Sequence, residues 1–455
     1  MQETELVAFR PLVCADLELS DPAAPRDIPD GAGLMLLVRL HGEPLDQCIV
    51  EPEAASAGID HWLPVVYGEL NQRIVEHLNA DGLAESAQAK LPAELAQLAA
   101  SSASECASAP ASSPQSPSAV LAICTMGTHR LLPSAITHLL DQDYQGRFDV
   151  VIVDNNPSSG AAARVIASLN DSRVRLVPAP IPGLSFARNV ALATAVDLGA
   201  DLLFYTDDDA LADPTWVSSQ AELFQADANV AAVTGLVVPG SQLSEAEQLF
   251  EEGSGFNKGY QRTVWSMAEP QSSVWSLGHK GDGGILFPFA AGSYGSGNSI
   301  AFRTDALLKM AGFDEALGAG TLTQGGEDLD IFVRVLMSGA TIVYQPRAVI
   351  RHYHRETMEE LRKQMVNYGA GLSAFLFREF LFLPGAKMQL LRVVPAGLKR
   401  MFDSDSEKNE SRSAAYPEDL AKAERRGFFK GPYLYVKSRR NAKKLRLASS
   451  DDVTG

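Results

Sequence analysis

Four short apolar runs follow one another after residue 118: AVLAICT (119–125), FDVVIVD (148–154), VRLVPA (174–179) and DLLFYT (201–206). Each is too short for a stable helix, and stretches with helical spacing, such as RLLPSAITHLLDQ, separate them. A chain patterned this way has few solutions. Strands joined by helical crossovers lie parallel, and helices must cover both faces of the sheet they form. The pattern therefore predicts an α/β fold with a mixed, mostly parallel sheet flanked by helices. In such sheets ligands bind beyond the carboxyl ends of the strands. Two of the runs end there in acid, at Asp154 and at Asp207-Asp208-Asp209.

Three adjacent carboxylates need a physical reason. At about 4 Å, two such charges cost about 1 kcal/mol in bulk water and about 4 kcal/mol at an effective dielectric near 20. In extended backbone Asp207 and Asp209 project to one side and Asp208 to the other. An Asp-x-Asp pair can clamp a hard divalent cation, Mn²⁺ or Mg²⁺, shared with the oxygens of a diphosphate. The competing reading is a solvated turn leading into a helix at Asp213-Pro214.

Other candidates follow in chain order. Gly295-Ser296-Gly297-Asn298 precedes a strand-like run at 299–303, where glycines admit close approach of a ligand or merely form a tight turn. Gly325-Gly326 delivers Glu327 and Asp328 to the start of a helix over 327–337, with Leu329, Phe332, Val333 and Leu336 on its apolar face and Gly339 as its stop. A carboxylate there can act as a general base, or simply suit the positive end of the helix dipole. His352 and His354 end another strand-like run, and His354 is the candidate to complete a metal shell, against a structural role for either. Arg130 and Arg188 can meet a diphosphate, although an ion pair on a helix surface explains Arg188 equally.

Residues 100–118 are nearly all Ala, Ser and Pro, and are expected to form a linker. The expected organisation is an accessory domain at 1–99, a catalytic domain at 119–355 and a helical, basic extension at 356–455. Within the first part, Gly33–Leu40 reads as a strand and the stretch near 67–99 as helical. Charge is uneven along the chain. From Arg351 onward 21 basic residues face 13 acidic ones, while the whole chain carries a net charge of -17. The acidic body argues against nucleic acid as a partner, whereas the basic tail, with aromatics in GFFKGPYLYVKSRR, suits peripheral contact with a membrane. Four cysteines without paired spacing, no apparent leader and no long apolar span lead to the expectation of a cytoplasmic protein, at the inner face of the plasma membrane if the tail docks there.

In order, AICTMGTHR, VVIVDNNPSSG, PGLSFARNVALATA, LLFYTDDDALADPTW, YGSGNSIAFRTDALLKMAGFDEALG and GGEDLDIFVRVLMSGATIVYQPRAVIRHYHR resemble the family-2 glycosyltransferases of the GT-A type over about residues 119–355. The resemblance implies a metal-dependent inverting transferase that moves a sugar from a UDP-, GDP- or dTDP-linked donor to an acceptor hydroxyl on a glycan, a lipid-linked glycan or a small molecule. It implies that Asp154 contacts the nucleoside, Asp207 and Asp209 hold metal and diphosphate, and Asp328 is the base, with Glu327 as the alternative. Thr125, Arg130, Arg188, Asp208, Gly297 and Asn298 complete the expected nucleotide-sugar site. Thr125-Met126-Gly127-Thr128-His129-Arg130 replaces the family's frequent Pro-x-Tyr-Asn, and Asn155 stands where a second acid is common. Gln364 is not followed by the Arg-Trp of processive synthases, which favours transfer of a single sugar, in cell-surface glycan or glycoconjugate synthesis. The alternatives are an inactive sugar-nucleotide-binding or glycan-binding module on this fold, or a nucleotidyltransferase.

Overall fold

The computed structural model describes residues 9–80, 97, 99, 116–402 and 416–454. Of the linker expected at 100–118 only 116–118 fall within them, and most of the helical stretch expected up to residue 99 lies outside them beyond Ala80. The first part is a three-stranded sheet, β1 (Leu12–Glu18), β2 (Gly33–Leu40) and β3 (Glu43–Val50), with β2 central. Alternation along β2 sets its two partners. Leu34, Leu36, Val38 and Leu40 pack with Trp62, Val66, Ile74 and Leu78 of the following helices, whereas Leu37 points the other way onto Leu236, Val238, Tyr344 and Val349 of the main sheet. Arg39 pairs with Asp16 and Asp213, and Asp16 also pairs with Arg351, so charge as well as apolar contact fixes this unit on the main body.

The main sheet has ten strands in the order β11-β10-β13-β9-β12-β7-β4-β5-β6, with β8 on β13. The expected runs form β4 (Ala119–Thr125), β5 (Phe148–Asp154), β6 (Val174–Pro178) and β7 (Leu202–Thr206), all mutually parallel. β12 (Ile300–Arg303) is antiparallel to both β7 and β9 (Val230–Pro239), and β13 (Thr341–His352) is parallel to β9. β9 and β13 therefore run the same way as β7, and their carboxyl ends share its edge. The short strands β8 (Ala210–Ala212), β10 (Thr263–Trp265) and β11 (His279–Lys280) run against that direction. Two buried apolar layers, one on each face, confirm the predicted sandwich: Ala187, Ala191, Phe332 and Leu336 lie in one, and Leu132, Ile136, Trp216 and Phe224 in the other.

The helix expected at 327–337 is present as Glu327–Met337, but its buried surface is wider than the predicted stripe. Ile331 and Val335 are buried along with Phe332, Val333 and Leu336, because the helix Met358–Phe382 crosses its outer side. That crossing explains the Gly325-Gly326 pair. Gly326 is left-handed at φ 90°, and a Cβ there would lie 2.5 Å from the carbonyl oxygen of Gly371. Beneath the same helix Asp330 and Glu379 are fully buried and share the Arg378 guanidinium, whose NH1 is 3.0 Å from an oxygen of each. Burial first, then the neighbouring Asp330 carboxyl, pushes Glu379 up to about 9.

The long helix Glu418–Thr454 packs on Met358–Phe382 at backbone distance. A Cβ on Gly427 would stand 1.9 Å from the carbonyl oxygen of Val366, and one on Gly369 1.9 Å from that of Glu424. No described helix is long and apolar enough to cross a membrane.

Gly427→Val is expected to lower stability by about 1–3 kcal/mol or more in urea unfolding, because no flexible atom can yield to the new side chain. Gly68→Ala, in a helix with nothing within 4 Å of the added Cβ, is expected to stabilise by roughly 0.4–1 kcal/mol. The Glu379 pKa makes a pH prediction whose sign is fixed. Between the unfolded value near 4.5 and about 9 the folded state keeps a proton that the unfolded state has lost, so this carboxyl makes stability fall as pH rises. Glu379→Gln is expected to flatten the melting temperature against pH over that window.

Candidate active site

β7 ends at Thr206 and the chain turns at once, with Ala210 N–H, at the start of β8, donating to Asp207 O at 3.3 Å. The three acids thus sit in a tight turn, where the sequence pattern predicted extended backbone. The separation of roles survives the change. Asp208 accepts from the Thr125 hydroxyl at the end of β4, while Asp207 and Asp209 converge on a different group. β13 brings that group, since its register places His352 opposite Ala210. Ligand atoms of Asp207, Asp209 and His352 all lie within 4.8 Å of one another.

The structure puts His352, not His354, at the acids. His352 Nε2 is 3.2 Å from Asp209 Oδ1, while His354 Nε2 is 2.5 Å from Glu251 Oε1 and its Nδ1 is 3.1 Å from His352 Nδ1. His354 and Glu251 therefore orient the imidazole that meets Asp209. Arg355, which the sequence reading passed over, adds a guanidinium nitrogen 3.8 Å from Asp209 Oδ2. Burial alone would raise Asp209, but His352 and Arg355 hold its carboxyl well below the usual range. Asp207 goes the other way. Burial, opposed by Arg188 and helped by Asp209, pushes it up to about 6. Asp209 Oδ1 is buried with no hydrogen-bond partner, because the His352 contact lacks hydrogen-bond alignment. A carboxylate oxygen left so, beside a second acid and an imidazole, is a donor set that fits a divalent cation with oxygen and nitrogen ligands.

Arg188 lies behind this group, 2% exposed, on the helix Leu184–Asp197. Its NH2 donates to Gly297 O at 2.9 Å and is 3.8 Å from Asp207 Oδ1, and its NH1 reaches Glu327 Oε1 at 3.3 Å. The rings of Tyr205 and Phe313 lie 5.7 and 5.3 Å from the guanidinium carbon. It is a buried structural cation rather than the helix-surface ion pair the sequence allowed. Burial raises Glu327 to about 7 despite this partner. Asp328 faces outward beside it. Its Oδ2 accepts from Gly297 N–H at 3.1 Å and its Oδ1 from Leu329 N–H at 2.8 Å. Gly297 is thus held on both sides, and the neighbouring Asn298 has a buried Oδ1 without a partner.

The remaining expected residues divide. Asp154 is buried at the end of β5, next to Thr125 in register, and accepts from Asn156 N–H at 2.9 Å. Asn155 braces the following loop, donating to Ala179 O and Ile181 O and accepting from Gly183 N–H. Arg130 is not gathered with the acids' turn. It is exposed and pairs with Glu356 at 2.9 Å.

Acids collected at the carboxyl edge of a parallel sheet suit a diphosphate-bearing donor, and a separate carboxylate at a helix start suits removal of a proton from whatever receives the transferred group. That combination is compatible with a group-transfer enzyme. The chain belongs to the glycosyltransferase like family 2, whose family model matches residues 117–368, and it is a transferase of that class. A glucosyl-dolichyl phosphate glucuronosyltransferase of Haloferax volcanii is 22% identical over 247 residues, covering 52% of this chain and 68% of that protein. A pre-mycofactocin glycosyltransferase of Mycobacterium tuberculosis is 28% identical over 93 residues, which span 20% of this chain and 18% of that one. Among solved structures, a mannosyltransferase of Pyrobaculum calidifontis in complex with GDP-Man and Mn²⁺ aligns with a TM-score of 0.41 and 16% identity, covering 75% of this chain and 88% of its own. S. aureus TarS in complex with UDP-GlcNAc gives 0.38 and 14%, with 73% and 92% covered.

Arg188→Met is expected to cost about 3–5 kcal/mol in chemical unfolding, since it leaves the buried Glu327 and the half-buried Asp207 without their cation. A loss below about 1 kcal/mol would mean that these acids are neutral in the folded protein.

Proposed function

We propose that this chain is a metal-dependent inverting glycosyltransferase that moves a single sugar from a nucleoside-diphosphate donor to an acceptor hydroxyl, in the synthesis of a cell-surface glycan or glycoconjugate. The observation that carries the reading is the convergence of Asp207, Asp209 and His352, with a buried Asp209 oxygen that faces His352 Nε2 at 3.2 Å without an aligned hydrogen bond. Those three residues would hold Mn²⁺ or Mg²⁺, and when bound the ion offsets the charge that develops on the departing diphosphate. No second acid is then needed on the leaving-group side, unlike the paired carboxylates of most glycoside hydrolases.

The protein's own groups divide the remaining work. Thr125 and Asp154 lie together at the ends of β4 and β5, where the nucleoside would rest, and Asn298 offers its unpartnered amide oxygen to a donor sugar hydroxyl. Arg188, already shared between Asp207 and Glu327, places fixed positive charge behind the diphosphate. Asp328 is the base. Two backbone N–H groups fix the plane of its carboxylate at the open face of the helix start, whereas Glu327 is turned inward onto Arg188. The acceptor oxygen attacks C1 of the sugar, the bond from C1 to the diphosphate oxygen breaks, and the acceptor proton passes to Asp328. Attack from the side opposite the leaving group inverts the anomeric centre. The name of the Haloferax relative adds support for a lipid-linked acceptor. On the helix Glu418–Thr454, Phe429 is 71% and Tyr433 70% exposed among lysines and arginines, which supports peripheral contact with an anionic cytoplasmic membrane face.

One of the UDP-, GDP- or dTDP-linked sugars is expected to release its nucleoside diphosphate in a Mn²⁺-dependent manner. Asp209→Asn should abolish that release together with Mn²⁺-dependent donor binding. Asp328→Asn should keep donor binding and lose transfer by about 10²–10⁴-fold. Transfer intact in Asp328→Asn and lost in Glu327→Gln would reassign the base, and release of pyrophosphate in place of the diphosphate would point to a nucleotidyltransferase.

A further inference from the structure

A cavity of about 970 Å³ opens beside the site on the side of β10 and β13, across the sheet from Asp154. Its volume is at the upper end of what small-molecule sites use. Phe289, Leu372, Leu376, Leu390 and Val393 make its walls apolar, and Trp265 of β10 presents an indole Nε1 that has no hydrogen-bond partner. Three charged groups line it, Glu251, Glu252 and Lys258. Glu251 is the residue that grips His354 and, through it, His352. Lys258 Nζ donates to Gly255 O at 3.2 Å and has no carboxylate within ion-pair distance among the described residues. Glu251 and Asp328 are nonetheless close enough to act on its charge, although burial is the larger influence and lowers its pKa. A molecule in this cavity therefore meets the Lys258 ammonium, which has no carboxylate ion-pair partner among the described residues and lies within electrostatic reach of Asp328.

We propose that the cavity seats the acceptor, and that the acceptor is a lipid-linked glycan: an apolar chain between the walls, an anionic linking group at Lys258, and a sugar hydroxyl presented to Asp328. The proposal rests on the glycosyltransferase reading and deepens it. Three observations favour a lipid over a peptide or a neutral aglycone. Apolar side chains from three separate segments, around Phe289, Leu372 and Leu390, face one another across the cavity, as a hydrocarbon chain requires and a peptide backbone does not tolerate. The ammonium has donors to spare for an anion. The wall helix Ala386–Phe402 also exposes Met388, at 61%, and Leu391, at 57%, beside the exposed cations Lys387 and Arg392, a mixture that suits an anionic bilayer surface, so the same helix offers a route from a bilayer to the cavity. In the transfer the sugar hydroxyl oxygen bonds to C1 of the donor sugar, the C1–O bond to the diphosphate breaks with its electron pair leaving on the nucleoside diphosphate, and the hydroxyl proton goes to Asp328.

The test is binding to the full chain without donor, followed by quenching of tryptophan fluorescence with n-decyl phosphate, n-decyl glucoside and ethyl phosphate as probes. Decyl phosphate is expected to bind saturably, with ethyl phosphate at least about a hundredfold weaker because it buries almost no chain. Lys258→Met should cost decyl phosphate about tenfold and leave decyl glucoside unchanged. Gly397→Leu, which places a side chain toward Leu286 in the cavity while favouring its helix, should weaken both decyl probes about tenfold with no fall in melting temperature. Trp265→Phe should remove the quench. Equal binding of ethyl and decyl phosphate, indifference to Gly397→Leu, or a quench that survives Trp265→Phe would overturn the apolar seat. Decyl glucoside binding as tightly as decyl phosphate would overturn the anionic link and leave a neutral aglycone. Because no donor is present, these outcomes are independent of the Mn²⁺-dependent release that tests the transferase reading.

Discussion

The centre is organised by one buried cation. Taking a guanidinium out of water costs several kcal/mol, and the protein offsets it only by bringing acceptors to the Arg188 side chain from elements far apart in sequence. The Gly297 carbonyl comes from the segment before β12, Glu327 from a helix start and Asp207 from the end of β7. Each of these elements is placed by the need to satisfy the same group. The acids at the strand end would otherwise repel one another. Neighbouring carboxylates are driven apart in character: burial and the Asp209 charge make Asp207 hold its proton more readily than usual despite Arg188, while His352 and Arg355 make Asp209 give its proton up more readily.

Much of the scaffold was legible because its signals are local. The four apolar runs became the strands β4 to β7 with at most one residue changed at an end, and the helix at 327–337 was bounded by its glycines. The carboxyl edge followed from parallel topology. Choices that depend on register were not legible. Residues 352 and 354 lie two apart in extended chain, so spacing alone gives them equivalent directions; only the pairing of His352 with Ala210 decides which imidazole meets Asp209. Arg130 looked equivalent to Arg188 as a basic residue near the site, yet one pairs with Glu356 in solvent and the other is sealed under two aromatic rings. The Asn155 side chain showed no pattern at all, since its partners lie in a loop 24 to 28 residues later.

The C-terminal part reads in sequence as a basic, aromatic tail, but its first helices belong to the body of the enzyme. Leu372 and Leu376 come from the helix that presses on Gly325-Gly326, so the turn that carries Asp328 and the wall of the adjoining cavity are one packing unit. The small N-terminal unit reaches the same cavity with Met35 and Gln47. Sequence gave that unit no chemistry. Its place at the cavity rim follows from the outward face of β2 and the charge pairs around Asp16, which long-range contacts alone define.

The far end of the chain closes this arrangement. Tyr435 donates to Asp314 at 2.8 Å and Arg446 to Glu315 at 2.6 Å, both in the loop that leads to the Glu327 helix. A nascent chain emerges from its amino end, and Asp207, Asp209, Arg188, His352 and Arg355 have all been made by residue 355. The loop before the Glu327 helix still waits for partners some 80 to 90 residues further on. In order of synthesis, the strands that carry the acids therefore precede the helix Glu418–Thr454, and the loop before the Glu327 helix gains these two contacts only once that helix has been made and has folded back.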